Sequence, residues 1–460
     1  MRLRARWVVP VSRPPIEDGE VVVADAQIVE VRPRRIDGAP VADALDLGDA
    51  IIVPGLVNAH THLEYTFLRG AVEDLPMFPW LDRLMAFKAQ LEPEDYLASA
   101  MQGAAEAALG GVTTVADCTD SGMAAQAVAR VGLRGIVYQE VFGIEEIPSV
   151  RDTIETVGEK LATLERDVAG SLVRVGIAPH SVYTVRADLF RALVQFAQKQ
   201  DLPVCIHAAE SQPECELVLT GTGVRAERFL RRGIEWEPPR CGVLEYLDGL
   251  GALRPGTLLV HCVQLSRADF RVLNLSGASV VYCPKSNAQL GNGVAPLTLL
   301  VQKTSDRLRS SPYLEGRCGI GTDSAVSNNK TDLLEELRFG LLIQRAWRRT
   351  AERPTAADVF ALATLGGARA LGLETQIGTL EPGKAADIAV FSLRGYHTSP
   401  CYDPVSAIVG SATAGDCVLT MAGGKLLTRN GRLLTASSQW INRRRNAVVQ
   451  RLKQTTRQTS

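Results

Sequence analysis

The sequence predicts an α/β protein: a (β/α)8 TIM-type barrel with a small composite β-sandwich domain built from both chain ends. Three observations predict it. Short, β-branched apolar runs recur through the middle of the chain with helical stretches between them. Five of the six histidines, and Asp323, stand where such runs stop. The first and last segments instead alternate short strand-like runs with turns.

Taken in order, residues 1–50 carry Glu20-Val-Val-Val-Ala24 and Gln27-Ile-Val-Glu-Val31, two strand-like runs. Eight candidate strands follow: 51–59, 112–118, 134–140, 172–179, 202–207, 256–261, 278–283 and 317–323. Helical stretches separate them, among them Glu92–Leu109, Asp188–Gln200, Asp269–Leu275 and Leu333–Trp347. Gly110-Gly111 ends the first of these helices before Val112-Thr-Thr-Val115. Eight strand–helix units of this size predict a closed barrel. Strand texture then returns in Ala386–Phe391, Cys417–Met421 and Lys425–Thr428, with Gly423-Gly424 as a turn. The expected division is therefore 1–54 with 375–435 as the composite β-sandwich, 55–374 as the catalytic barrel, and 436–460 as a basic tail. From Ile441 onward the tail has six Arg/Lys and no acid, and it is expected to be a solvated terminus.

Composition narrows the function. The chain has 460 residues, 46% hydrophobic and 22% charged, with a formal net charge of −1. That balance fits a globular enzyme and gives no field for nucleic acid or a membrane surface. The opening apolar run breaks at Pro10, too short for a signal-peptide core, and no run of about eighteen apolar residues exists. Nine scattered cysteines without a CxxC, with Cys205, Cys262 and Cys283 in or beside apolar runs, read as reduced thiols of a cytoplasmic protein.

The strand ends carry the chemistry. In a parallel barrel they gather on one face, so residues far apart in sequence can meet around one ion. His60 and His62 stand two apart in Val53-Pro-Gly-Leu-Val-Asn-Ala-His60-Thr-His62, which puts both imidazoles on one side of a strand and Thr61 on the other. His207 and Asp323 complete a ligand set for one divalent metal, Zn²⁺ first and Fe²⁺ second. Glu210, three residues after His207, is placed to act as general acid. His261 is placed to hold a water and Asp323 to take its proton; a bound metal brings that water's pKa near neutrality. The reaction class that follows is attack on an sp² carbon bearing an amino or halide group.

Other motifs fail. His62-Leu63-Glu64 matches half of the His-x-Glu zinc deaminase signature, but no Pro-Cys-x-x-Cys follows. Gly378-Thr-Leu-Glu-Pro-Gly383-Lys384 nearly spells a phosphate loop, but Ala385 replaces the required Ser/Thr. No Gly-x-Ser-x-Gly elbow exists.

Pro54–His62, His207-Ala-Ala-Glu210, His261, Gly321-Thr-Asp323 and Gly378–Asp387 resemble the amidohydrolase superfamily, in its mononuclear branch of aminohydrolases and chlorohydrolases. The resemblance spans nearly the whole chain. It implies a metal-dependent barrel, usually a dimer or tetramer, acting on a small N-heterocyclic substrate. Binuclear members carry a bridging lysine on the fourth strand; Leu172–His180 has none, which implies one metal. A histidine like His180 contacts substrate in the adenosine-derivative deaminases, and their glutamate corresponds to Glu210. His60-Thr-His62-Leu-Glu64, Phe78-Pro-Trp80-Leu81, Thr220-Gly-Thr-Gly223, His261-Cys-Val-Gln264 and Tyr282-Cys-Pro-Lys-Ser-Asn287 are most similar to aminodeoxyfutalosine deaminases of menaquinone synthesis. The S-adenosylhomocysteine, methylthioadenosine and adenosine deaminases come next. Gln264 stands where those relatives more often have histidine, and Lys285 where arginine is expected. Trp80 and Tyr138 are candidates to stack on a purine, and Glu64 and Glu140 to bind ribose hydroxyls. The rival readings are a triazine or guanine-type amino- or chlorohydrolase and, from another class, a catalytically inactive assembly barrel. The latter would have lost ligands, and none is missing.

Overall fold

The computed structural model describes residues 1–34, 44–145, 149–300 and 316–458. The chain starts with β1 (Arg2–Val8), β2 (Ile16–Ala24), β3 (Gln27–Pro33), β4 (Ala44–Asp46) and β5 (Ala50–Pro54). The barrel strands follow: β6 (Leu56–His62), β7 (Val112–Thr119), β8 (Arg134–Val141), β9 (Val173–Pro179), β10 (Val204–Ala208), β11 (Thr257–His261), β12 (Ser279–Tyr282), β13 (Cys318–Ile320) and β14 (Asp323–Ser324). The chain closes with β15 (Ile388–Ser392), β16 (Cys417–Ala422), β17 (Lys425–Arg429) and β18 (Arg432–Leu433).

The two chain ends build one nine-stranded sheet in the order β18-β17-β16-β15-β5-β1-β2-β3, with β4 beside β1. The join is the antiparallel pair β5–β15, which sets Ala50 opposite Ser392 and Pro54 opposite Ile388. Side-chain alternation divides this sheet between two cores. Ile52, Ile388 and Val390 pack with Leu3, Val21, Leu419 and Met421. Their neighbours Ile51, Val53, Ala389 and Phe391 face the other way, into the main core of the molecule.

The second sheet is parallel and runs β13-β12-β11-β10-β9-β8-β7-β6-β14. β13 and β14 are two pieces of one eighth strand, interrupted at Gly321-Thr322; β13 pairs with β12 and β14 with β6, and this closes the ring. Gly321 is required there. A Cβ would stand 2.7 Å from the His60 nitrogen, so only glycine lets the last strand press against the first and deliver Asp323 beside His60. The barrel interior is filled by inward residues such as Val57, Ala59, Ala116, Cys118, Tyr138, Cys205 and Val260.

Helices land close to the expected stretches: Pro93–Leu109, Ala187–Lys199, Arg267–Ser276 and Leu333–Arg348. Two expectations need correction. The run 51–59 is not one strand. It breaks after Pro54: β5 belongs to the chain-end sheet and β6 to the barrel. Gly55 makes the crossing, and a Cβ there would lie 2.2 Å from the Thr113 side chain. The tail is not a solvated terminus either. It forms the helix Ser438–Gln458, which buries Ile441, Val448 and Leu452 on one face. Its arginines meet the acidic start of helix Pro93–Leu109: Arg444 donates to Asp95 (2.9 Å) and Glu92 (3.0 Å), and Arg451 to Asp95. That acidic turn is a capping box closed by Asp95 on Glu92, and its carboxylates call for cations. Residues 459–460 of the expected tail lie outside the described residues. No helix among the described residues is long and apolar enough to cross a membrane.

One buried ion pair ties barrel to chain-end sheet. Arg134, at the start of β8, donates through Nε and Nη2 to the two oxygens of Asp387 at 3.0 and 3.1 Å, and the Gly423 amide adds a third bond at 2.7 Å. Asp387→Ala would leave a buried guanidinium unpaired, so it is expected to cost about 3–5 kcal/mol in urea unfolding. A loss below about 1 kcal/mol would show that the pair does not join the two sheets energetically.

Candidate active site

Four ligand-type side chains converge at the floor of a cavity at the C-terminal end of the barrel strands, His62, His207 and Asp323 lining it and His60 buried just beneath. His60 and His62 come from β6, His207 from β10 and Asp323 from β14. His62 Nε2 lies 3.3 Å from His207 Nε2 and 3.7 Å from Asp323 Oδ1; His60 Nε2 lies 3.4 Å from Asp323 Oδ1. Two nitrogens bound at about 2.0–2.1 Å to one tetrahedral ion would stand about 3.4 Å apart, so the spacing fits. Among the described residues, His60 Nε2 is buried with no hydrogen-bond partner. The His207 ring meets the His180 carbonyl through Nδ1 at 3.2 Å. A carbonyl can only accept, so Nδ1 carries the hydrogen and Nε2 keeps its lone pair for a cation. Cys118 lies on the far side of His60, 4.0 Å from Nδ1, and its sulfur is 3.6 Å from that of Cys205.

Asp323 is held as an anion. Ser286 Oγ donates to Oδ2 at 2.6 Å, Ser327 Oγ at 3.1 Å, and the Ser324 amide donates to Oδ1 at 2.6 Å. Burial opposes its charge, but His60 and the other imidazoles hold its pKa well below the ordinary carboxylate value. Burial pushes the imidazoles down: His62 and His207 well below the usual value, His180 to about 3 and His261 to about 4. His60 runs against its own burial, up to about 10, because Asp323 and Cys205 draw a proton onto it. The cluster therefore demands one positive charge beside Asp323, which a divalent ion would satisfy. His261 and Asp323 also share a backbone feature, positive φ of 76° and 58°. Such strained, non-glycine conformations collect at functional sites.

Glu210 and His261 stand beside the quartet. Glu210 Oε1 is 3.7 Å from His261 Nε2 and accepts a hydrogen bond from Asn292 Nδ2 at 3.0 Å. Burial, reinforced by Asp323 and Glu214, raises its pKa well above the usual carboxyl value, which favours the protonated form a general acid needs. His261 Nδ1 is bonded to Asn287 Oδ1 at 2.9 Å, which leaves Nε2 facing the cavity. The cavity above has a volume of about 540 Å³ and is walled by Trp80 and Lys88 from helix Met77–Lys88, by Glu140 and His180, and by Arg225 from helix Gly223–Arg231. That is the size of a small-molecule site.

Residues 51–427 match the Amidohydrolase family. The chain belongs to that family. Among its relatives is the 5′-deoxyadenosine deaminase of Methanothermobacter thermautotrophicus, 30% identical over 93% of each chain. A 5-methylthioadenosine/S-adenosylhomocysteine deaminase of Nitratidesulfovibrio vulgaris is 32% identical over 91% of this chain and 89% of that one. Among solved structures, a zinc-bound adenosine deaminase from Xanthomonas campestris has a TM-score of 0.85 at 29% identity, covering 98% of both chains. Aminofutalosine deaminase of Helicobacter pylori shares the fold, with a TM-score of 0.75 at 22% identity over 92% of this chain and 99% of that one.

This amidohydrolase brings most of the expected residues together and sets two apart. Glu64 does not reach the cavity wall. Its carboxylate is saturated by Thr119 Oγ1 (2.7 Å), Ser121 Oγ (2.6 Å) and the Asp120 amide (2.9 Å), so it fastens the loop after β7 and has no oxygen to spare for a ribose. Tyr138 lies inside the barrel among Cys118, Cys205 and Ala178, below the floor, where it cannot stack on a ligand. Trp80, His180 and Glu140 do line the cavity, and among the described residues Glu140 Oε1 and Trp80 Nε1 have no hydrogen-bond partner, His180 Nε2 standing 3.9 Å from Glu140 Oε1. Lys285 turns away from the site and pairs with Glu335 at 2.8 Å. Gln264 Nε2 donates to the Asn292 carbonyl at 2.6 Å and so braces the residue that holds Glu210. Sequence reasoning missed Lys88, Asn292 and Arg225. None follows a strand end, and no spacing rule marks them.

Proposed function

We propose that this amidohydrolase is a metal-dependent hydrolytic deaminase that converts a 6-aminopurine nucleoside to its 6-oxo form and releases ammonia. The observation that carries the reading is the convergence of His60, His62, His207 and Asp323 beside Glu210 and His261, at the floor of one cavity with His60 just beneath it. The deaminase relatives support it. Aminodeoxyfutalosine is the proposed substrate, on the strength of the motifs around Trp80, Gly223 and Asn287; S-adenosylhomocysteine, methylthioadenosine and adenosine are the alternatives.

His60, His62 and His207 through nitrogen and Asp323 through oxygen would hold one divalent ion, Zn²⁺ before Fe²⁺. Such an ion supplies Lewis acidity and lowers the pKa of a water toward neutrality. The side chains do the rest. His261 Nε2 orients the attacking water, and Asp323 takes its proton. Glu210 donates its proton to the ring nitrogen next to C6 as the C–O bond forms. The tetrahedral carbon then collapses: Asp323 passes the proton it took from water to the amino nitrogen, the C–N bond breaks, the hydroxyl on C6 gives its proton back to Glu210 as the C6 carbonyl forms, and ammonia leaves. Trp80 covers the purine, His180 contacts it, and Glu140 accepts from ribose hydroxyls. The test is a screen of purine nucleosides for loss of the 6-amino absorbance with matching ammonia. Turnover is expected for 5′-substituted adenosines. Release of chloride from a chlorotriazine with no ammonia from any nucleoside would sink the nucleoside reading.

A further inference from the structure

Four cations line the cavity: Lys88, Arg225, Arg228 and Arg232. Three are matched. Lys88 pairs with Asp120 at 3.1 Å, Arg228 with Asp82, and Arg232 with Glu145 at 2.7 Å. Arg225 is the most buried of the three arginines, at 6% exposure, and among the described residues no carboxylate lies within ion-pair distance of it. Its guanidinium sits among rings, 4.9 Å from the centre of Tyr183, 5.0 Å from Phe229 and 5.2 Å from Phe78. Nη2 donates to the Tyr183 carbonyl at 3.0 Å, and Nε is buried with no hydrogen-bond partner among the described residues. A guanidinium presents five donors and cannot shed its charge, so burying one without a counter-ion is costly unless a ligand supplies the anion.

We infer that Arg225 binds a carboxylate at the far end of the nucleoside's 5′ substituent, making the enzyme selective for acidic 5′-substituted adenosines over neutral ones. The inference rests on the deaminase reading for the ligand's orientation: with the purine on the metal floor, the 5′ substituent is the part left to reach the helix that carries Arg225. The planar fork matches a carboxylate edge to edge. A phosphate dianion would need more than one free cation, and the other three are already paired.

The test measures binding by calorimetry to the metal-loaded full chain, in a Glu210→Gln background that suppresses turnover. The ligands are S-adenosylhomocysteine, its carboxyl methyl ester and adenosine 5′-monophosphate. With Arg225 intact, the acid is expected to bind about ten- to hundredfold tighter than the ester, the range for a charge-assisted hydrogen bond. Arg225→Met should erase that ratio, and Arg225→Lys should keep part of it. Equal binding of acid and ester with Arg225 intact overturns the inference without any variant. Equal weakening of both ligands by Arg225→Met would make the residue structural, and tightest binding by the monophosphate would replace carboxylate by phosphate; either result overturns it. Ammonia release by the wild-type enzyme is scored separately. Preference for the acid without ammonia keeps the carboxylate site and defeats the deaminase reading. Ammonia from acid and ester with equal KM keeps the deaminase and defeats the carboxylate site. Failure of every nucleoside to bind defeats both.

Discussion

Glu210→Gln is expected to retain the bound metal while kcat falls by about 10²–10⁴-fold, the contribution of a positioned general acid–base group. The glutamine amide can still take its place beside Asn292 and His261, so the cavity keeps its shape. What it cannot do is give a proton to a ring nitrogen and take one back. Burial has prepared the native residue for that task by raising its pKa, and Asn292 fixes which oxygen faces His261. Because the substitution removes an interaction made in the transition state, kcat should fall far more than KM changes. A variant within a few-fold of wild type would move proton transfer to another group.

His62→Ala is expected to lose metal and activity together. Removing His62 Nε2 takes away the nitrogen 3.3 Å from His207 and 3.7 Å from Asp323, and with it one of the four proposed ligands. Elemental analysis of the purified wild-type enzyme should give about one ion per chain, because β9 offers no lysine to bridge a second. Two tightly held ions per wild-type chain, or a His62→Ala variant that keeps both its ion and its rate, would contradict the ligand set.

Most of the barrel was legible because its strands are covered on both faces and so read as unbroken apolar runs. The run at 51–59 misleads for the same reason. β5 and β6 are both buried throughout, and only Pro54-Gly55 marks the change of sheet. The convergence of the four proposed ligands was legible because period-two alternation and strand-end position suffice to bring His60, His62, His207 and Asp323 to one end of the barrel. Alternation gives side but not depth. Tyr138 and Glu140 both point into the barrel from β8, yet Glu140 reaches the cavity rim while Tyr138, about 6.6 Å lower, is buried in the interior. Arg225 and Lys88 were not legible at all. They come from helices laid over the barrel mouth, and their approach to the cavity depends on tertiary packing that no local pattern encodes. The basic tail was misread because its charge was visible and its partner, the acidic first turn at Glu92–Asp95, lies more than three hundred residues earlier.

The most direct measurement is the wild-type, metal-loaded reaction run in ¹⁸O-enriched water with a 5′-substituted adenosine, followed by mass spectrometry of the nucleoside and by ammonia analysis. One ¹⁸O atom at purine C6 and one ammonia per nucleoside consumed is the predicted result. A nucleoside recovered with its 6-amino group intact, or cleaved elsewhere without ammonia, would contradict hydrolytic deamination as the work of this site.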